Sequence, residues 1–266
     1  MFQRRWSGDG DLLQSKSLRR FDRALMMGCA FGLVGFAPGN TLAQAVWTGS
    51  TSNVWPDAGN WSPAAIPGAT TDVSINTGLG NVPVITTAGQ LARSVTLGSG
   101  LGQTGALLID GGTLTANGAG FNPGMAVGDL GTGQLTVSNG GVLTANNGYV
   151  ALNPGSTGTA TVTGANSRWN VTNWFDIGSS GNGTLNVASG GVVNFNVAGR
   201  TATFGSDAGA VGRLNVSGTG SQFNALSTAF GNHATGQGHA EITAGGLFNG
   251  GTTTVGSAGA GSMLFS

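Results

Sequence analysis

Cysteine is nearly missing from this sequence: Cys29 is the single one in 266 residues. A disulfide framework or a cysteine-built metal site needs more thiols than that. Charge is equally scarce, at 8% of residues against about 25% in ordinary proteins. Ten basic residues balance ten acidic ones. A chain with no basic excess is poorly suited to neutralise a run of phosphates, so general nucleic-acid binding is excluded. There are only seven prolines, and glycine does not recur every third residue, which excludes a collagen triple helix. Against these shortages stand 51 glycines and 39% hydrophobic residues. That apolar share can fill a core, so simple disorder is not expected. Abundant Val, Leu, Thr, Asn and Ser then point to an all-β chain.

The scarce basic residues are not evenly spread. Arg4, Arg5, Lys16, Arg19, Arg20 and Arg23 supply six of the ten, all before an apolar run from Ala24 to Ala37. Pro38-Gly39-Asn40 and Ala43-Gln44-Ala45 follow. A basic region, an apolar stretch and small residues, in that order, form a secretory signal peptide, here with an extended basic region. Residues 1–45 are read as this leader, with cleavage expected after Ala45. The apolar run, about 14 residues, is short for a membrane span. The 221 residues left after cleavage (266 − 45) contain no cysteine and no lysine. Their four arginines face seven acids, a net charge near −3. An exported chain of this kind must be held by packing and backbone hydrogen bonds.

A repeat runs through the rest. Segments start at Gly105, Gly133, Gly158, Gly183, Gly212, Gly238 and Gly261, spaced by 28, 25, 25, 29, 26 and 23 residues. Each opens Gly-x-apolar-x-apolar, as in Leu107/Ile109, Leu135/Val137 and Leu185/Val187. A turn such as SNGG, ASGG or TAGG follows, then two more short apolar stretches. Alternating apolar residues mark half-buried strands. Strands of three to five residues bury almost nothing alone, whereas parallel stacking of successive copies makes one continuous core. Glycine and asparagine in the turns fit bends that need positive φ. The expected architecture is a right-handed parallel β-helix (a solenoid) over residues 105–266, with three sheets around one apolar column. Trp169, Phe195, Phe223 and Phe248 are expected to stack inside it. Residues 46–104 hold Trp47, Trp55 and Trp61 among prolines and short strands. This section reads as an irregular N-terminal cap, closing sheet edges that would otherwise template association.

These features resemble the passenger region of a bacterial type V autotransporter. The Gly-x-Leu-x-Val-x-x-Gly-Gly segments, and Gly158 to Trp169 above all, are similar to the repeat shared by type V secretion and PEP-CTERM surface proteins. Gly212 to Phe223 is the next best copy. The Trp47-Thr48-Gly49 and Gly59-Asn60-Trp61-Ser62-Pro63 segments resemble the way such passengers begin. The resemblance implies passage through the general secretion machinery and translocation through a C-terminal outer-membrane barrel. It also implies a stiff stalk at the surface of a Gram-negative cell, with a host surface or polysaccharide as possible contact. Two departures stand out. No barrel pattern of alternating ten-residue strands occurs in residues 105–266, and the sequence stops at Ser266 inside a seventh repeat. A truncated copy of a longer protein is the expectation.

Parallel β-helices also include polysaccharide lyases and hydrolases, so the acids matter. Asp129 and Asp207 are expected in equivalent turns three rungs apart, about 14 Å at ~4.8 Å per rung. Paired glycosidase carboxylates need about 5–9.5 Å. Asp176 aligns with Thr203 rather than with Asp207, and Asp110 and Glu241 are isolated. With no lysine and few arginines, nothing in the sequence stands ready to neutralise a uronate. His233 and His239 show no carboxylate or serine partner from the repeat register, so a catalytic triad is not supported, and two histidines alone do not make a metal site. No cofactor is expected. The reading is a non-enzymatic stalk or adhesin-type module, the alternative a carbohydrate-active β-helix enzyme. The candidate contact residues are Tyr149 and Trp174, expected to stand outward on adjacent rungs with Arg200 close to the next step.

Overall fold

The computed structural model describes residues 43–118 and 123–266. The expected leader therefore lies outside the described residues, except for its last three positions. Those, Ala43 to Ala45, belong to the strand Ala43–Trp47, in which Ala45 is buried. The described residues form a parallel β-solenoid, and their one helical element is a single 3₁₀ turn, Ala58–Asn60. Every strand pairing is parallel apart from Ala43–Trp47 against Trp61–Ser62.

One face of the stack is a sheet of eight strands, from Val84–Ile85 through Thr104–Asp110 and Thr132–Ser138 to Ala260–Phe265. Its register is set by the repeat glycines. Gly105, Gly133, Gly158, Gly183, Gly212, Gly238 and Gly261 pair in one unbroken column. The reason differs from that of the turn glycines. None of these seven has positive φ, but a Cβ on Gly158 or Gly212 would overlap the backbone carbonyl oxygen of Val127 or Ile177. The chain turns the corner against this column, and only a hydrogen fits there. Two residues beyond the first six of these glycines, Leu107, Leu135, Ala160, Leu185, Leu214 and Ala240 stack inward. The neighbouring column is Ile109, Val137, Val162, Val187, Val216 and Ile242. Each fully buried Leu, Ile or Val among them contributes about 1.5–3 kcal/mol relative to exposure.

The other two faces are not separate sheets. Strands such as Gln90–Ala92, Thr113–Ala116 and Val192–Phe195 lie on one, and Thr71–Ile75, Met125–Val127 and Ala202–Phe204 on the other. Val142–Val150 and Arg168–Ile177 run round the corner without a break and join both faces into one 15-stranded sheet. Three faces thus enclose the core, but two sheets make them. The long strands do not match residue for residue. Ala145 pairs with Val171 and Asn147 with Trp174, so the second strand carries one extra residue, a β-bulge.

The aromatic core also departs from a simple column. Trp169 pairs with Val193, which pairs with Phe223 and then Phe248, while Phe195 faces Ala225. The aromatics meet across faces instead. Phe175 lies 5.1 Å from Trp169, 5.8 Å from Phe195 and 6.4 Å from Phe223 between ring centroids. Phe223 stacks on Phe248 at 5.7 Å, and Phe204 on Phe230 at 4.6 Å. At the other end Trp61 makes edge contacts with Trp47 and Trp55, all three buried. Buried Asn60 ties the loop above them together. Its Oδ1 accepts from the Thr51 and Ser52 amides and the Thr51 hydroxyl, and its amide donates to the Ser52 hydroxyl and the Val54 carbonyl.

Candidate functional site

Because side chains alternate in a strand, the positions between the core columns point outward and also stack in register. Some of these outward columns are structural. Asn194 donates to Asn170, Asn224 to Asn194 and Asn249 to Asn224, at 2.7–2.9 Å. Asn215 likewise donates to Asn186 at 2.8 Å. Hydrogen-bonded amides of this kind fix neighbouring rungs rather than offering their groups to a ligand.

Tyr149 and Trp174 are both half-buried, but they are not the aligned pair expected. Trp174 lies opposite Asn147 and Tyr149 opposite Asp176. The two rings are therefore offset by two residues along the strand and do not form a stacked platform. Arg200 does lie over Trp174, its guanidinium carbon 3.8 Å from the ring centroid. That contact already covers one face of the indole. Asp176 accepts from the Thr203 hydroxyl, in the register the sequence indicates.

The other described aspartates are held by polar neighbours. Asp129 accepts from the Asn153 amide at 2.7 Å, Asp207 from the Ser180 hydroxyl at 2.7 Å, and Asp110 from Ser138 and Asn139. Asp72 pairs with Arg93 and accepts from Ser94. Asp57 caps the 3₁₀ turn. Hydrogen bonds from the Thr51 hydroxyl, the Gly59 amide and the Ser52 hydroxyl hold its carboxyl below its ordinary value. His233 is exposed in a turn.

His239 overturns the expectation that it has no serine partner. Gly238 pairs with Gly261, so the next residues, His239 and Ser262, face each other across one rung. Nδ1 of His239 lies 2.7 Å from the Ser262 hydroxyl oxygen. Arg213 precedes His239 in the same outward column, and Asn215 and Glu241 occupy the next column over. Together they line an open depression of about 250 Å³ on the eight-stranded face, with Leu264 at one side. Arg213 and Glu241 are exposed and have no ion-pair or hydrogen-bond partner among the described residues. Sequence reasoning missed this group although the signal was present. Aligning the repeats on Gly212, Gly238 and Gly261 puts Arg213, His239 and Ser262 side by side. A serine and histidine in contact, with a carboxylate two residues along, can hold a hydroxylated ligand or orient a proton. No His239–Glu241 contact completes a triad among the described residues, and no group of three or more His, Cys, Asp or Glu able to hold a metal occurs among them.

The fold defines the class: a repeat protein, a parallel β-solenoid with a continuous core and columns of outward side chains. No family model matches the chain, and no solved structure matches it. Over 92 residues, 35% of its length, it is 39% identical to a protein of Escherichia coli (strain K12) named Uncharacterized lipoprotein YdeK. The match covers 7% of that relative, so the chain spans only a small part of its length.

Proposed function

We propose that this chain is an exported, cell-surface β-helical module, a stalk or adhesin-type passenger of the autotransporter kind, and not an enzyme. The observation that carries the reading is the single apolar column running through all rungs with no cysteine to brace it. Each rung buries its inward face against the next, so length can be added by repetition and folding can propagate rung by rung after export. The basic-then-apolar order of the first 45 residues supports passage through the general secretion machinery. Partial identity to a protein named a lipoprotein supports residence at a membrane surface. In this reading an outer-membrane barrel carries the module across, and a host surface or polysaccharide is what the module meets.

The Ser262–His239 contact beside Glu241 favours one second reading, a carbohydrate-active β-helix enzyme. Incubating the full chain with plant and bacterial polysaccharides separates the two. The stalk reading expects retention of the chain on a surface without turnover. Release of reducing ends or unsaturated products, lost in Ser262→Ala or His239→Ala, would establish the enzyme.

A further inference from the structure

We infer that the depression between Arg213 and Glu241 is a binding site for a uronate residue of an acidic polysaccharide. The inference deepens the adhesin reading by naming a ligand class, and it rests on that reading for its biological setting.

Charge is too rare in this chain for the grouping to pass as ordinary surface. Of the four arginines after residue 45, Arg93 is paired with Asp72, Arg200 covers Trp174, and Arg168 stands exposed on the 15-stranded sheet. Arg213 is exposed and unpaired among the described residues, beside His239. The earlier positions of its column are Ala106, Gln134, Thr159 and Thr184, all uncharged. Cationic character thus enters this column only at the rungs that form the depression. Glu241, the chain's single glutamate, lies one rung on and two residues along, about 8 Å from Arg213 between Cα positions by strand geometry. Opposite charges this close on a bare sheet are within reach of each other, yet they stand apart across an open space.

A ligand for that space needs a negative group at one side and hydroxyls at the other. The Arg213 guanidinium can take a carboxylate through two parallel N–H···O bonds. Glu241 can accept from ring hydroxyls, and the Ser262 hydroxyl can donate or accept. The His239 ring, fixed by Ser262 at 2.7 Å, supplies a flat side against which a sugar ring can lie. At about 250 Å³ the depression is smaller than a drug-sized pocket, which suits one sugar residue. It is open along the sheet, so a residue inside a longer polymer can enter with its neighbours running past. A uronate carries both features, a carboxylate and vicinal hydroxyls, on one ring. The sequence alone offered nothing to neutralise such a carboxylate; the register supplies Arg213.

The test is titration of the full chain with an oligogalacturonate of four residues, followed by calorimetry or by shifts of the His239 ring resonances. A neutral tetrasaccharide and a short polyglutamate serve as comparisons. The inference expects oligogalacturonate to bind at least tenfold more tightly than either. It also expects Arg213→Gln to weaken binding at least tenfold, and Glu241→Gln to weaken it several-fold, with unchanged melting temperatures in both variants. Equal binding of the neutral sugar, equal binding of polyglutamate, binding indifferent to Arg213→Gln, or no binding of oligogalacturonate at millimolar concentration would each overturn it. None of these results depends on where in the cell the protein resides, so failure here is separable from failure of the surface reading.

Discussion

Glycine does two different jobs in this chain, and single residues show which is which. Gly105, Gly133, Gly158 and their equivalents sit at ordinary φ and are needed because backbone passes where a Cβ would be. At the corner that precedes that column, Gly98, Gly128, Gly178, Gly205, Gly231 and Gly256 all have φ between 65° and 78°. The equivalent residue after Val150 is Ala151, at φ 58° and fully buried. Its backbone is bonded like that of its neighbours, with the Ala151 amide donating to Val127 and the Gly178 amide to Val150. An L-residue in the left-handed region costs roughly 1–2 kcal/mol. Ala151→Gly should therefore relieve strain and raise the melting temperature by about 2–4 °C for each kcal/mol recovered in a domain of this size. Calorimetry of the variant checks this, and a lowered melting point would show that the Ala151 methyl contributes more by packing than its φ costs.

Elements explain where the sequence could be read and where it could not. Repeated inward residues revealed strands, order and parallel pairing, because a period of two and a fixed offset from each glycine survive in the letters themselves. The bulge between Ala145 and Asn147 did not show, since one extra residue in Arg168–Ile177 leaves the apolar pattern on both sides intact. The alignment of Tyr149 with Trp174 fails for a different reason: Val150 pairs with Ile177, which leaves the two rings two residues apart, and the bulge accounts for only one residue of shift. The serine facing His239 was legible from the glycine register, but only by comparing whole rungs rather than searching for motifs. The opening loop makes a separate prediction. Asp57, held below its ordinary pKa of 3.8 by the Thr51, Gly59 and Ser52 donors, contributes stability as a carboxylate. A depressed folded value means this contribution is complete above the unfolded value and disappears as pH falls through the lower folded one. Asp57→Asn should thus lower the melting temperature near neutrality, and the difference from the parent chain should shrink below about pH 4. An unchanged difference at low pH would contradict the assignment.

At the scale of the whole molecule, the stack makes register the source of any function. A side chain's neighbours are set by its place in a rung, so groups 23–26 residues apart in the sequence, Arg213, His239 and Ser262, become adjacent. The same arrangement explains a protein that needs neither disulfides nor many ion pairs: inward columns supply the core, and outward columns carry either rung-to-rung amide bonds or exposed side chains. It also fits export, because such a chain can cross a membrane unfolded and gain stability with each rung that docks. The most direct test is to stain intact cells of the source organism with antibody raised against residues 105–266, alongside cells whose envelope has been opened. The account predicts labelling of intact cells, or recovery of the chain from the medium, with loss of the signal on brief external protease treatment. Labelling confined to opened cells, with the protein fractionating in the cytosol, would contradict it.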